Sequence, residues 1–227
     1  MPKPTEYQFD LPSTGRPELF SLGDQFFPGI KESWPKCTSK RIFHPIDGIR
    51  AVVIHATAGS SSAGAVSVMH AGKASFHWLV PDEDEDEHGE FVWACAPETL
   101  AAFHVQNSKS HPAVNGGATR VNHWSLGIEV VNSQGTSDQF SDWQIAATAR
   151  IVRYCWAKYP NLVHVVSHAR LDPSRRSDPG VNFPWEAFQK QVLESAPESV
   201  PPLVAAAARS SRARIFTPED LSGCCLP

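Results

Sequence analysis

The sequence has 227 residues, of which 41% are hydrophobic and 19% are charged, a composition typical of a folded globular chain and not of a disordered one. The formal net charge of −4 argues against the strongly basic class to which most nucleic-acid-binding domains belong. No apolar run of about 18 residues is present, so no transmembrane helix is predicted.

The first 47 residues are rich in proline, glycine and aromatic side chains and show no clear period. We interpret residues 1–47 as an arm that packs on the main domain, with Phe20, Phe26, Phe27 and Trp34 as its apolar anchors. The chain begins with polar, proline-rich sequence, without the apolar core of a secretory signal. If this start is native, we expect the chain to be made as a soluble cytoplasmic protein.

Regular structure is predicted to begin after the arm. Residues 51–55, 76–80 and 90–95 are short apolar runs of the kind that form buried strands, and residues 60–73 are predicted to form a helix. The acidic run 82–87 is interpreted as a solvated turn. A cation site in this run is the alternative, but the run lacks the spaced ligands and the glycine of a calcium loop.

The alternation of residues 125–131 indicates a strand with two distinct faces. One face carries Leu126, Ile128 and Val130, and the other carries Gly127, Glu129 and Val131. An acidic side chain on an apolar strand needs a partner or water. Glu129 is therefore either a charge on a solvated sheet face or a general base in a cleft, and the periodicity alone leaves both interpretations open.

The remaining elements follow this strand. Ser141 and Gln144 form a capping box, which predicts the start of a helix that ends before Pro160. Residues 163–168 are predicted as a last strand, and Pro184 is predicted to start a final helix. Strands that alternate with helices indicate an α/β fold.

We expect a single domain with a mixed central β-sheet flanked by helices on both faces. This domain is assigned to residues 48–197. Residues 198–227 lose the pattern of apolar residues and are interpreted as an irregular C-terminal tail.

Two histidines, His55 and His168, end predicted apolar strands. In open α/β sheets, functional sites gather at the carboxyl ends of strands. Asp178 follows ten residues after His168, and the turn at Pro179 and Gly180 would fold its loop back over the strand end. Two imidazoles and one carboxylate would bind zinc with one position left open, as in catalytic zinc sites. Each residue alone has an ordinary structural explanation, so the prediction depends on their combination.

Five segments resemble, in order, the motifs of the type-2 N-acetylmuramoyl-L-alanine amidases, a family related to peptidoglycan recognition proteins and phage amidase-type lysozymes. The segments are 53–59 (VIHATAG), 75–80 (SFHWLV), 102–104 (AFH), 119–129 (TRVNHWSLGIE) and 166–180 (VSHARLDPSRRSDPG). The resemblance covers roughly residues 50–190 and includes neither the arm nor the tail.

The resemblance implies a role for each residue at a motif position. His55, His168 and Asp178 fall on the zinc ligands, and Glu129 falls on the catalytic glutamate. Arg176 falls where many members have lysine. It is expected to stabilise the developing oxyanion or, as the alternative, to bind a substrate carboxylate.

Three further residues fall on positions that line the cleft of the family. These are His77, His104 and Asn122, and they are expected to bind substrate, although His77 is equally compatible with a place beneath the cleft. Two positions depart from the family pattern. Phe103 replaces a tryptophan, and Phe76 stands where some phage members carry a tyrosine, so a helper role for that phenol is not expected here.

The implied fold is that of the peptidoglycan recognition proteins. The implied function is zinc-dependent, endolysin-like hydrolysis of the amide between an N-acetylmuramoyl or anhydro-muramoyl lactyl group and L-alanine, in peptidoglycan or muropeptides. A non-catalytic peptidoglycan-binding module is the alternative, although the metal ligands and Glu129 are retained. A zinc peptidase is disfavoured because no His-Glu-x-x-His helix is present. The chain could reach the cell wall by a route that needs no signal peptide.

Overall fold

The computed structural model describes residues 2–89 and 91–194. Within these residues the α-helices are α1 (Pro45–Gly48), α2 (Ser62–His70), α3 (Val121–Trp124), α4 (Asp142–Lys158), α5 (His168–Leu171) and α6 (Trp185–Glu194). The strands are β1 (Gln8–Asp10), β2 (Gln25–Phe26), β3 (Thr38–Lys40), β4 (Ala51–Ala56), β5 (Trp78–Val80), β6 (Trp93–Ala94), β7 (Leu100–Ala102), β8 (Ser125–Val130) and β9 (His164–Ser167). The tail predicted at 198–227 lies outside the described residues.

A mixed sheet forms the centre of the part of the chain that the structure describes, with seven strands in the order β1-β9-β4-β8-β5-β6-β2. Its middle strands β9, β4, β8 and β5 are parallel neighbours, whereas β1 and β6 pair antiparallel with β9 and β5. β3 and β7 form a separate antiparallel pair. The parallel centre brings the carboxyl ends of β4, β8 and β9 to one edge, where α/β proteins place their sites.

Helices α4 and α6 cover one face of this sheet. Leu126, Ile128 and Val130 project from β8 to this face and share one buried cluster with Ile151 of α4 and Phe188 of α6. Burial of these apolar side chains drives the docking of both helices. The alternation predicted for residues 125–131 is thereby confirmed.

The start of α4 is held by the predicted capping box. The Ser141 hydroxyl accepts the backbone N–H of Gln144 at 3.1 Å, and the Gln144 side chain accepts the backbone N–H of Ser141 at 3.1 Å. The helix ends at Lys158, two residues before Pro160, as predicted. None of the described helices combines the length and the apolar character that crossing a membrane requires.

The opposite face of the sheet carries α2. Val66 and Met69 of this helix pack in a buried cluster with Leu79 of β5 and Val131. Helices therefore lie on both faces, which confirms the predicted architecture. Glu129 projects to this second face, because it alternates with the side chains of β8 that pack against α4 and α6.

The N-terminal segment contributes strands that its sequence does not reveal. β1 extends the sheet beyond β9, and β2 pairs in parallel with β6 at the other edge. Strands of two or three residues are too short to show a period. Of the expected aromatic anchors, Phe27 is buried, whereas Phe26 is 39% exposed and packs 5.0 Å from the ring of Trp34. The ring of Phe20 lies 6.1 Å from that of Tyr154 on α4.

Three predicted strands are shorter than expected, among them β9, which covers His164–Ser167 of the predicted run 163–168. β5 begins at Trp78 instead of residue 76, and β6 comprises only Trp93 and Ala94 of the predicted run 90–95, in which Glu90 lies outside the described residues. The backbone of His77 still bonds to its neighbours, because its N–H donates to Gly127 at 2.9 Å. The chain is therefore extended before β5 but lacks the regular ladder of a strand.

The acidic run 82–87 forms a turn, as predicted, but two of its glutamates do more than face solvent. The Glu85 carboxylate accepts hydrogen bonds from Ser62 at the first turn of α2, from the backbone N–H at 2.9 Å and from the side-chain hydroxyl at 3.0 Å. Glu83 accepts the hydroxyl of Ser141 at the start of α4. Carboxylates at helix N-termini satisfy free N–H groups and favour the helix dipole. The acidic turn is therefore hydrogen-bonded to the N-termini of α2 and α4.

Candidate metal and active site

Three parallel strands bring the predicted residues to one face of the sheet. β4 and β8 pair with His55 opposite Glu129, and residues paired in register project to the same face. Val53, two residues before His55, pairs with Val166 of β9. His168 follows two residues after Val166 and extends the same row. It is the first residue of α5 and not the last of β9, which corrects the predicted end of that strand.

His55, His168 and Asp178 form a tight, buried group at the carboxyl end of these strands. The Nδ1 atom of His55 lies 3.0 Å from Nδ1 of His168 and 3.1 Å from Oδ2 of Asp178. The Nδ1 atom of His168 lies 3.0 Å from the same carboxylate oxygen. Three potential ligand atoms thus form a triangle with nearly equal sides.

Hydrogen bonds alone do not account for this triangle. The Asp178 oxygen is an acceptor, and each histidine nitrogen carries either a proton or a lone pair. If both nitrogens donated to Asp178, two N–H donors would lie only 3.0 Å apart with no acceptor between them. If either nitrogen kept its lone pair, that nitrogen and the carboxylate oxygen would be two acceptors in contact. An ion that receives all three lone pairs removes this conflict. The group can therefore hold a metal ion.

The loop after α5 returns Asp178 to the histidines. The backbone N–H of Ala169 donates to the Asp178 carbonyl at 3.0 Å, and the N–H of Gly180 donates to the Ser177 carbonyl at 2.9 Å. Gly180 has a φ of 92°, a left-handed conformation that favours glycine because a Cβ would be strained there. The turn predicted after Asp178 folds the loop over the strand ends.

The charges of the group suit metal binding. The pKa of His55 is lowered to about 4, by burial and by the neighbouring His168, against the opposing effect of Asp178. Burial by itself would raise the pKa of Asp178, but the adjacent imidazoles of His168 and His55 lower it below its usual value. At neutral pH His55 is an uncharged imidazole and Asp178 a carboxylate, the protonation states that metal ligation requires.

A cavity of ≈ 350 Å³ opens beside this group, and its wall includes Glu129. Burial raises the pKa of Glu129 well above its usual value; the charge of Asp178 raises it further, and that of Arg176 lowers it. The structure therefore places Glu129 in a cavity wall and not on an open sheet face. A carboxylate with raised proton affinity in such a wall can exchange protons with a bound molecule.

Arg176 lines the same cavity from the loop that carries Asp178. Its side chain is exposed, and its positive charge lowers the pKa of both His55 and Glu129. Arginine remains protonated in proteins, so this residue brings a permanent positive charge to the cavity.

His104 lies in the cavity wall, as expected, but both of its ring nitrogens already contact protein atoms. Its Nδ1 lies 3.0 Å from Nε2 of His55, and its Nε2 lies 3.1 Å from the hydroxyl of Ser125. The ring is therefore placed behind a candidate metal ligand.

His77 does not lie in the described cavity wall, a position that fits the alternative of a place beneath the cleft, and its expected contact with substrate stays a prediction. Its Nδ1 accepts the backbone N–H of Gly127 at 2.9 Å, and its Nε2 lies 3.1 Å from the carbonyl of Leu100. Burial and the charge of Arg41 lower the pKa of His77 to about 3. The ring is neutral and fully buried, and it connects the backbone of β8 to that of β7.

Asn122 is also absent from the described cavity wall, and its expected contact with substrate stays a prediction. Its side-chain oxygen accepts the backbone N–H groups of His104 at 3.3 Å and Val105 at 2.9 Å. Its amide nitrogen donates to the carbonyl of Val105 at 2.8 Å. The amide is thus used to hold the backbone of His104.

Two residues near the site were not among those predicted from the sequence. Ser125 begins β8, and alternation with Gly127 could have placed it on the site face. Arg41 comes from the N-terminal arm, is buried, and donates to the carbonyls of Asn122 and Ser125 at 2.9 and 3.0 Å. No local pattern distinguishes such an arginine from an exposed one, because its partners are backbone atoms of a distant segment.

Comparisons with known proteins agree with this geometry. A family model described as N-acetylmuramoyl-L-alanine amidase matches residues 45–181. The N-acetylmuramoyl-L-alanine amidase AmiD of Escherichia coli K12 is 30% identical over 178 residues, which are 74% of this chain and 62% of that protein.

Two solved structures share the fold. The complex of Escherichia coli AmiD with anhydro-N-acetylmuramic acid-L-Ala-D-gamma-Glu-L-Lys has a TM-score of 0.55 and 29% identity, over 71% of this chain and 63% of that chain. AmpDh3 from Pseudomonas aeruginosa has a TM-score of 0.55 and 24% identity, over 66% of this chain and 61% of that chain. This chain therefore spans less than two thirds of each of these relatives. Since the family model extends over more than half of the 227 residues, from before the first candidate ligand to beyond the last, the chain belongs to the N-acetylmuramoyl-L-alanine amidase family.

Proposed function

We propose that this chain is a zinc-dependent amidase that hydrolyses the amide between the lactyl group of N-acetylmuramic acid, or its anhydro form, and L-alanine. The observation that carries the proposal is the convergence of His55, His168 and Asp178 on one point beside the Glu129 carboxylate. Membership of the amidase family supports the assignment of this amide as the bond that is cut. The relative AmiD has been solved in complex with an anhydro-muramoyl peptide as its substrate, which supports the same class of substrate for this chain.

The ligand set favours zinc. The three donor atoms are 3.0 and 3.1 Å apart, near the roughly 3.3 Å separation of ligands about 2.0 Å from a tetrahedral zinc ion. Two imidazoles and one carboxylate are typical of catalytic zinc sites that keep one position for water or substrate. Zinc in such a site makes water available as a nucleophile near neutral pH and polarises a carbonyl oxygen.

Glu129 is assigned the proton transfers of the reaction. Its carboxylate lines the cavity beside the three candidate ligands, where it can accept a proton from the attacking water and later donate it to the leaving nitrogen of L-alanine. The water oxygen forms the new bond to the lactyl carbonyl carbon, and the carbonyl oxygen takes up negative charge. The C–N bond breaks when this adduct collapses and Glu129 returns the proton to the nitrogen. The products are a muramoyl carboxylate and a peptide with a free amine.

Arg176 is assigned to the negative charge that develops on the carbonyl oxygen. We expect Arg176→Ala to lower kcat about 10²–10³-fold, the usual cost of losing one group that stabilises an oxyanion. Arg176→Lys is expected to retain at least a tenth of the activity, because the charge remains while the planar two-pronged geometry is lost.

Lys190→Ala provides the matched control, since Lys190 is an exposed cation on the distant helix α6. Kinetics on a soluble anhydro-muramoyl peptide distinguish the roles. A rise in KM with an unchanged kcat would instead assign Arg176 to binding a substrate carboxylate, and full activity of Arg176→Ala would remove it from the site.

The proposed reaction is tested by digesting polymeric peptidoglycan and an anhydro-muramoyl peptide side by side, with product analysis by mass spectrometry. We expect intact sugars that end in a lactyl carboxylate, and peptides that begin with a free L-alanine amine. A chelator should abolish the products, and added zinc should restore them, because the proposed reaction depends on the bound ion.

The alternatives give different products in the same experiment. Shortened stem peptides that remain attached to sugar would indicate a peptidase. Sedimentation of the protein with cell walls without any released product, in the presence of zinc, would indicate a binding module and would overturn the proposed hydrolysis.

A further inference from the structure

We propose that His104 and Ser125 are positioning residues that fix the tautomer of His55, so that its Nδ1 lone pair points at the metal. The inference deepens the proposed function and rests on its metal site. It begins from a row of hydrogen-bonding atoms that runs behind His55, from Nε2 of His55 through both ring nitrogens of His104 to the hydroxyl of Ser125 and the carbonyl of Val121.

The direction of the protons is set at the carbonyl end of this row. The Ser125 hydroxyl oxygen lies 2.7 Å from the Val121 carbonyl oxygen, and two oxygens at this distance repel unless a proton lies between them. A carbonyl can only accept. The hydroxyl proton of Ser125 is therefore committed to Val121, and its oxygen is left to accept.

The remaining protons follow from this commitment. The Nε2 of His104, 3.1 Å from the Ser125 oxygen, must carry the proton that the oxygen accepts. A neutral imidazole has one N–H, so Nδ1 of His104 presents a lone pair. The Nε2 of His55, 3.0 Å away, donates its proton to that lone pair, and Nδ1 of His55 is left without one.

The atom left without a proton is the atom that the metal site needs. Nδ1 of His55 is the corner that lies 3.1 Å from the Asp178 carboxylate oxygen and 3.0 Å from Nδ1 of His168. Ligating histidines commonly donate their other N–H to a second group that orients the ring. Here that group is another histidine, held in turn by a serine.

The packing around His104 leaves this ring little freedom. A Cβ on Gly127 would lie 2.8 Å from Cγ and 2.9 Å from Nδ1 of the ring, so the absent side chain of Gly127 provides the space that His104 fills. The Asn122 amide holds the backbone at His104 and Val105. These contacts explain why a buried asparagine and a strand glycine stand beside the site.

Nitrogen NMR of zinc-loaded, ¹⁵N-histidine-labelled protein tests the proposal without any substitution in the row of hydrogen-bonding residues. Long-range proton–nitrogen correlations assign the protonated nitrogen of each ring. We expect the proton on Nε2 in both His55 and His104. A proton on Nδ1 of His104 would reverse the row and overturn the proposal.

Zinc affinity, measured by competition with a chelator, provides the second test. We expect Ser125→Ala to weaken zinc binding about 10-fold and His104→Leu up to about 100-fold, the usual range for partners of a metal ligand. His104→Asn should bind zinc more tightly than His104→Leu, because its side-chain oxygen can replace the Nδ1 acceptor. Ser62→Ala is the matched control, a fully buried serine whose hydroxyl bonds to Glu85 outside the site.

The outcomes separate this inference from the proposed function. If His104→Leu is folded by circular dichroism and loses activity but keeps wild-type zinc affinity and the His55 Nε2 proton, then His104 acts on substrate and the inference is wrong. If the wild-type protein binds zinc, carries the Nε2 protons on His55 and His104 and cuts no amide, the positioning role of His104 and Ser125 is supported while the amidase proposal fails.

Discussion

Replacing Glu129 with glutamine is expected to lower kcat by about 10²–10⁴-fold, the range that general acid–base catalysis contributes, while the zinc content stays unchanged. The substitution keeps the size of the side chain and removes its ability to accept and return a proton. Glu129 lies outside the group of three candidate ligand atoms, so the substitution keeps the proposed ligand set intact. The expected pattern is therefore a folded, metal-loaded and inactive protein.

The measurement pairs steady-state kinetics on an anhydro-muramoyl peptide with elemental analysis of the same sample. Glu186→Gln is the matched control, because Glu186 is an exposed glutamate on α6, away from the cavity. Activity of Glu129→Gln within a few-fold of wild type would exclude the proton-transfer role. Loss of zinc together with activity would assign Glu129 to the metal site instead.

Replacing His55 with alanine is expected to remove the metal ion and, with it, the activity. If about 10–16 kcal/mol of zinc binding is shared among four ligands, one ligand contributes roughly 3 kcal/mol, or about 100-fold in Kd. At equal protein and zinc concentrations the variant should carry much less zinc than wild type. Its activity should fall to the background of the assay.

His44→Ala is the control for the loss of one histidine, since the His44 side chain is 71% exposed and lies in the N-terminal segment. Zinc per protein after dialysis and the chelator-competition Kd are the two readouts. An unchanged zinc ratio in His55→Ala would remove His55 from the ligand set. Partial recovery of activity at high zinc would support weakened ligation over misfolding.

Much of the fold could be predicted because its main elements have long, regular patterns. Their signals are local, because each lies within a few consecutive residues. They are the alternation over Ser125–Val130, the capping box at Ser141 and the proline at 160 that follows the helix. The strands of the N-terminal segment could not be predicted. They are two or three residues long, and β1 and β2 depend on hydrogen bonds to β9 and β6, which are distant in the chain.

The site shows the same division. Residue types and their motif positions identified His55, His168, Asp178 and Glu129. The same reasoning assigned Asn122 to substrate, because a motif position does not tell whether a side chain faces a cavity or the backbone behind it. That difference depends on which segment of the same chain packs beside the asparagine, and here this segment supplies the N–H groups of His104 and Val105.

The alternation of strand and helix, the candidate metal ligands and the resemblance to the family can all be read from the sequence. Only the tertiary structure decided that His55 and His168, 113 residues apart, bring their Nδ1 atoms within 3.0 Å, and that His104 stands behind one of them. The physical reason is that periodicity and capping act between residues close in the chain, whereas the distance between remote side chains is set by strand register and by the packing of loops over the sheet edge.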